Sequence, residues 1–187
     1  MVDKDDKKDA ILEAMLDLVA ERGFHDAPMS LLARRSGASP GVIYHYFPSK
    51  DALIEAVYLR VKALKTEALL RGYSPEMTPR EGFVKLAQNT YRFYRKHLRE
   101  VRFLSQFENS PYARTCAPGE DLHAQEANIL RWFRPRKKGG VLKNLPQEAI
   151  DSLTIGLAAS LARAPKKFSE ATVRQIAETV WAAIADQ

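Results

Sequence analysis

A chain of 187 residues with 45% hydrophobic content can hold one or two modest domains around a true core, and its formal charge is +6. The longest apolar stretch without charge, residues 152–162, is 11 residues long, well short of the roughly 20 that a membrane helix needs, and the N-terminus, rich in Asp and Lys, lacks the apolar core of a secretory signal. The single cysteine, Cys116, excludes an internal disulfide, agrees with a reducing cytoplasm and reads as an inert thiol.

The first predicted helix carries Ala10, Ile11, Ala14, Met15, Leu18 and Val19 at spacings of three and four, one apolar stripe from which Glu13, Asp17 and Glu21 fall away. Arg22-Gly23-Phe24 reads as its stop, with Phe24 as a hydrophobic latch. Residues 29–36 form a second, short helix with Met29, Leu32 and Ala33 at helical spacing, ended by Gly37. A third follows at once. Ser39 caps it, Pro40 suits its first position, and Pro48 stops it after about two turns. Ile43 and Phe47, four apart, take the buried side, leaving Gly41, Tyr44 and His45 on the other. Between Pro28 and Lys50 stand three basic residues, Arg34, Arg35 and Lys50, and no acid. A helix of this size and charge fits the major groove of DNA.

The run Met29 to Lys50, with Leu32-Ala33, Gly37, Ser39, Gly41, Tyr44, Phe47 and Lys50 in that spacing, resembles the N-terminal helix-turn-helix of TetR-family transcriptional regulators. The likeness extends from about Lys7 to about Tyr58. It implies an all-helical bacterial regulator, a homodimer with a DNA-reading head and a larger body that senses a small molecule. It also implies roles for Ser39, Pro40, Gly41, Val42, Tyr44, His45, Tyr46 and Lys50 in DNA binding. Pro40, Gly41 and Val42 occupy positions that approach bases, while Tyr44, His45, Tyr46 and Lys50 occupy positions that meet phosphates. The family commonly has Ser or Thr where Pro28 stands and often a basic N-terminal arm, whereas residues 2–9 here mix Asp3, Asp5, Asp6 and Asp9 with Lys4, Lys7 and Lys8. The reading helix has no Arg, Asn or Gln, so bidentate recognition of guanine or adenine is not available from it. Val42 against a thymine methyl, backbone approach at Gly41, bridging water and DNA shape remain.

Charge supports this only locally. Residues 1–50 hold seven Lys or Arg against eight Asp or Glu, so the head is near neutral and its acids must face away from the duplex. The basic excess lies at Arg131, Arg134, Arg136, Lys137, Lys138 and Lys143. Pro135 and Gly139-Gly140 break helices there, and a solvated loop is the preferred reading over an auxiliary phosphate contact or an anion site.

A helix begins at Ser49 and runs to about Leu70. Thr78-Pro79-Arg80-Glu81 has the pattern of a capping box, and Phe83, Leu86, Ala87, Thr90, Tyr91 and Tyr94 follow at helical spacing to about His97. Shorter helices are predicted over 101–108 and 120–133. No segment alternates with period two, so no strands are expected. Aromatic density between Phe83 and Phe133 marks a ligand-pocket region, and Tyr91, Tyr94, Phe103, Phe107, Trp132 and Phe133 are its candidate contacts, with Gln106, Glu108, Asn109, His97 and His123 as polar groups within reach. A plain aromatic core is the alternative. Leu153, Leu157 and Leu161 form one C-terminal stripe and Val173, Ile176, Val180, Trp181 and Ile184 another. By the family resemblance these two helices pair with a second subunit, and in a monomer they would pack internally.

The fold class is therefore all-α, with a three-helix DNA-binding domain over 1–50 and a helical ligand-binding and dimerisation domain over 51–187. The expected function is a cytoplasmic transcriptional repressor released from a palindromic double-stranded operator by a small apolar or aromatic effector. An activator of the same family and a helical protein-interaction module without DNA binding are the alternatives. The four histidines are far apart, with no paired cysteines and no glycine-rich phosphate loop, so no enzyme, metal site or cofactor is expected.

Overall fold

Helix α1 (Lys4–Arg22) buries Ile11, Met15, Leu18 and Val19 completely. Leu12 and Leu16 are buried as well, so its apolar face is broader than one stripe because further helices pack on both flanks. Gly23, at φ 78°, ends it by donating to Val19 O at 2.8 Å. The coordinates are a computed structural model, and they describe residues 4–74, 76–114 and 134–186. The helix expected over 120–133, with Trp132 and Phe133, lies outside the described residues, as do Cys116, His123 and Arg131.

Helix α2 (Met29–Ser36) starts after Pro28, which has no side chain to cap it, and stops at Gly37 in the left-handed conformation. Ser36 Oγ donates to Leu32 O and accepts from Ala38 N, closing the turn into α3 (Pro40–Tyr46). Ser39 Oγ then accepts from Val42 N, and Phe47 N donates to Ile43 O as the chain turns out. Helix α4 (Lys50–Leu70) is capped in the same way, Ala52 N donating to Ser49 Oγ at 3.0 Å.

Two units emerge from the packing. The first comprises the chain up to Ala63 together with the segment that begins at His97. Its core joins α1, α2 and α3 to Leu53, Ile54, Val57, Tyr58 and Val61 of α4 and to Phe103, Leu104 and Phe107 of α6 (Leu98–Glu108). Packing thus groups the chain differently from a boundary at Lys50, because the first three turns of α4 complete the core that the short helices cannot close alone. The Phe24 latch is in place, its ring 5.9 Å from Phe103 and 5.0 Å from Tyr112. Tyr58 stacks flat on Phe107, with 4.0 Å between centroids and 7° between planes.

The second unit begins at Leu64, runs to Lys96, and takes up the C-terminal segment. Helix α5 (Pro79–Lys96) opens on the expected capping box: Thr78 N donates to Glu81 Oε2, and Glu81 N to Thr78 Oγ1. Buried Asn89 donates to Leu69 O and Arg71 O at 2.8 Å each, satisfying carbonyls at the end of α4. The C-terminal stretch is α7 (Gln147–Asp151), a π-helical turn (Ser152–Gly156) and α8 (Leu157–Arg163), followed by α9 (Glu170–Ile184). Thr154 Oγ1 donates to Ile150 O at 2.7 Å within the π-turn. Arg92 of α5 grips Glu170 of α9 with two bonds of 2.7 and 2.6 Å. Among the described residues there is no strand, only isolated bridges at Pro135, Leu142 and Ala185.

The basic cluster is a built loop. Arg136 N donates to Leu142 O and Leu142 N to Arg134 O, around a single 3₁₀ turn (Arg136–Lys138). Arg136 pairs with Asp186, and Lys143 Nζ donates to Ala183 O at the end of α9. Two of its cations therefore fasten the loop to the last helix.

Candidate nucleic-acid interface

Helix α3 divides by side. Ile43 and Phe47 are buried in the head, whereas Pro40, Gly41, Tyr44 and His45 are exposed and Val42 and Tyr46 are half-buried. Tyr44 is 49% exposed, which is unusual for a ring of that size on a short helix that has apolar surface to cover. His45 and Tyr46 rings meet edge to face at 5.4 Å, setting their direction. Gly41 has an ordinary helical φ, and a Cβ built on it meets nothing within 4 Å. No neighbour among the described residues requires a glycine there. A glycine within a helix costs about 0.5–1 kcal/mol relative to alanine, and its bare backbone leaves this side of α3 open to close approach.

Lys50 is placed differently from a free cation. Its Nζ donates to the carbonyl of Phe24 at 3.1 Å, 26 residues away, and it is half-buried. It ties the first turn of α4 to the loop between α1 and α2. Lys7 does the same at the helix-turn-helix itself, donating to Gly37 O at 3.0 Å.

Four acids of α1, Asp9, Glu13, Asp17 and Glu21, are engaged by arginines. Glu21 pairs with Arg35 at 2.7 Å, and that hydrogen bond holds its carboxyl below the ordinary carboxylate range. Glu13 is shared by Arg60 at 3.1 Å and Arg99 at 2.8 Å; Asp9 takes Arg60, and Asp17 takes Arg99. Burial works against the charged form of Arg99, but its bonds to Glu100 and Asp17 outweigh it and raise its pKa. Four carboxylates that would repel a phosphate chain are thus neutralised by arginines of α2, α4 and α6. Helical spacing shows that these acids leave the apolar face, but their partners lie up to 86 residues away along the chain and have no local signal.

A model of bacterial regulatory proteins of the tetR family matches residues 11–57, which include α2, α3 and Lys50. A second, described as tetracyclin repressor-like, C-terminal domain, matches residues 80–185. The chain belongs to the tetR family of bacterial regulatory proteins. Among TetR-family structures, it superposes on a transcription regulator from Marinobacter aquaeolei VT8 with a TM-score of 0.81, at 22% identity over 98% of this chain and 97% of that one. A putative regulator from Vibrio parahaemolyticus gives a TM-score of 0.76 at 25% identity, covering 97% and 99%. The HTH-type transcriptional regulator BetI of Klebsiella pneumoniae is 40% identical over 60 residues, which is 32% of this chain and 31% of that protein. The match spans about a third of the length of the curated relatives.

In the C-terminal unit of this TetR-family chain, α5, the π-turn, α8 and α9 enclose an apolar cleft. Its walls include Phe83, Thr90, Leu153, Thr154, Leu157, Leu161, Val173, Ile176 and Val180, with no charged side chain among them. Its free volume is about 20 Å³, room for one water and far below the roughly 300 Å³ at which ligand pockets begin. None of the described aromatic residues expected around a ligand lines it. Phe103 and Phe107 belong to the core of the first unit instead, because α6 packs on α1. Tyr91 and Tyr94 belong to the second unit. Tyr91 is buried, and its hydroxyl accepts from Phe168 N and donates to Phe168 O. Tyr94 packs partly buried beside it.

Six of the eight residues expected at a dimer interface, Leu153, Leu157, Leu161, Val173, Ile176 and Val180, line this cleft. Trp181 lies 5.2 Å from Phe83. Val173 and Ile184 are 2% exposed, already covered within the subunit, whereas Leu153 is 41% exposed. No helix among the described residues is long and apolar enough to cross a membrane.

Proposed function

We propose that this protein is a cytoplasmic transcriptional repressor, a homodimer that binds a palindromic operator and leaves it when a small apolar or aromatic effector binds the C-terminal unit. The observation that carries the DNA-binding reading is the outer side of α3, where a glycine that the chain itself does not need stands beside an exposed Tyr44. In this reading Pro40, Gly41 and Val42 meet base edges. Ser39, Tyr44, His45 and Tyr46 set the helix on the phosphates, and Lys50 holds the frame around them.

The dimer would form on the π-turn, α8 and α9, through the exposed Leu153 and the half-buried Leu157, Leu161, Ile176, Val180 and Trp181, while Val173 and Ile184 support that face from inside. Two heads about one helical turn apart would then read two half-sites. An effector needs more room than the cleft offers, so its binding requires the walls to part. Those walls include the dimer helices, and a ligand that favours the parted state changes the spacing of the heads and lowers operator affinity. Fluorescence anisotropy with fragments of the protein's own promoter region at low salt tests the reading. Saturable binding that outcompetes random duplex DNA supports it, and affinity equal for all fragments contradicts it.

A further inference from the structure

The cations of the head are unequally available. Lys7 and Lys50 each donate to a backbone carbonyl, Gly37 O at 3.0 Å and Phe24 O at 3.1 Å. Arg35 is held by Glu21 at 2.7 Å, and Arg60 by Asp9 and Glu13. Arg34 differs. It is exposed, and among the described residues it makes no ion pair or hydrogen bond.

Its position on α2 gives it a direction. Leu32 and Ser36, four apart, form the buried side of this eight-residue helix. Ser30 and Arg34, also four apart, stand on the opposite side, and both are exposed. Helical side chains lean toward the N-terminus, so the guanidinium of Arg34 extends over Ser30 toward the first turn of α2. In a helix-turn-helix the helix before the reading helix crosses the phosphate backbone. A long, permanently charged, unpaired side chain on its outer side is suited to phosphate oxygens, which a guanidinium can grip with two bonds.

We propose that Arg34 is the phosphate contact that gives the head its salt-dependent grip on DNA, and that Lys50 is a positioning residue acting through the Phe24 carbonyl. This rests on the DNA-binding reading above. The two roles separate in the salt dependence, since each neutralised phosphate contributes a slope of about 0.9 in log affinity against log salt. Between about 50 and 200 mM salt the parent's loss of affinity should shrink ~3.5-fold per head in Arg34→Ala. Arg34→Lys should keep the parent slope, because it keeps the charge.

Lys50→Ala should weaken binding at every salt concentration and leave the slope unchanged. The measurement is anisotropy on one duplex across a salt series, with circular-dichroism melting to establish that each variant is folded. A reduced slope in Arg34→Ala, with the parent slope in Lys50→Ala, supports the proposal. The parent slope in a folded Arg34→Ala overturns it and leaves the DNA-binding reading standing. A parent protein that binds no duplex overturns both.

Discussion

Replacing Gly41 by alanine separates what the chain needs from what its partner needs. A methyl group built at Gly41 has no neighbour within 4 Å, so it causes no clash in the free protein. The residue lies in the first turn of α3 with helical backbone angles, and alanine there is favoured over glycine by about 0.5–1 kcal/mol. The free protein should therefore become slightly more stable, by up to about 1 kcal/mol, in urea denaturation followed by circular dichroism. DNA binding should move the other way. If the backbone at Gly41 comes against base edges, the added methyl separates the surfaces, and operator affinity should fall at least tenfold, equivalent to about 1.4 kcal/mol. The assay is anisotropy on the same duplex with both proteins under one salt condition. Undiminished affinity in a protein of equal or greater stability would refute the argument, since it would mean that nothing approaches this position.

Further outcomes follow from the same contacts. Phe107→Ala should remove about 3–5 kcal/mol from the N-terminal unit, because Phe107 is 2% exposed and stacked on Tyr58; a loss under about 1 kcal/mol in urea denaturation would contradict its place in that core. Ser39→Ala removes the acceptor for Val42 N and should cost about 0.5–2 kcal/mol, lowering operator affinity in parallel. Gly140→Ala should destabilise the C-terminal unit by about 1–3 kcal/mol or more in thermal melts, since a Cβ there would collide with the Arg134 carbonyl. The Glu21–Arg35 tie has a pH signature. The carboxyl of Glu21 is lowered from its ordinary 4.5 by the Arg35 bond, so its contribution is complete above that value and disappears as pH falls through the lower folded one. The difference in melting temperature between parent and Glu21→Gln should be constant near neutral pH and vanish in acid.

What could be read from the sequence was what depends on near neighbours. Gly37 ends α2, and Ser39, Pro40 and Pro48 bound α3, by local hydrogen bonding and backbone angles, each acting within four residues of itself. The Thr78–Glu81 box is legible for the same reason. Periodicity shows that Phe103 and Phe107 are buried but not against what, and α6 proves to pack on α1, so two expected ligand contacts are core residues of the DNA-binding unit. The destination of Lys50 is equally invisible, since its carbonyl partner lies 26 residues back along the chain. Leu153, Leu157 and Leu161 have a regular helical spacing, yet the backbone between 152 and 156 is π-helical. There the Thr154 hydroxyl bonds to the Ile150 carbonyl. Spacing alone therefore misplaces the side chains after that turn.

Whether α3 reads a specific duplex is decided by selecting bound sequences from a random DNA pool with the purified protein. One palindromic motif with half-sites about one helical turn apart should be enriched, and Gly41→Ala should lose that enrichment. A pool that remains random after repeated rounds, with the parent protein folded and binding only in proportion to DNA length, would contradict specific reading by α3.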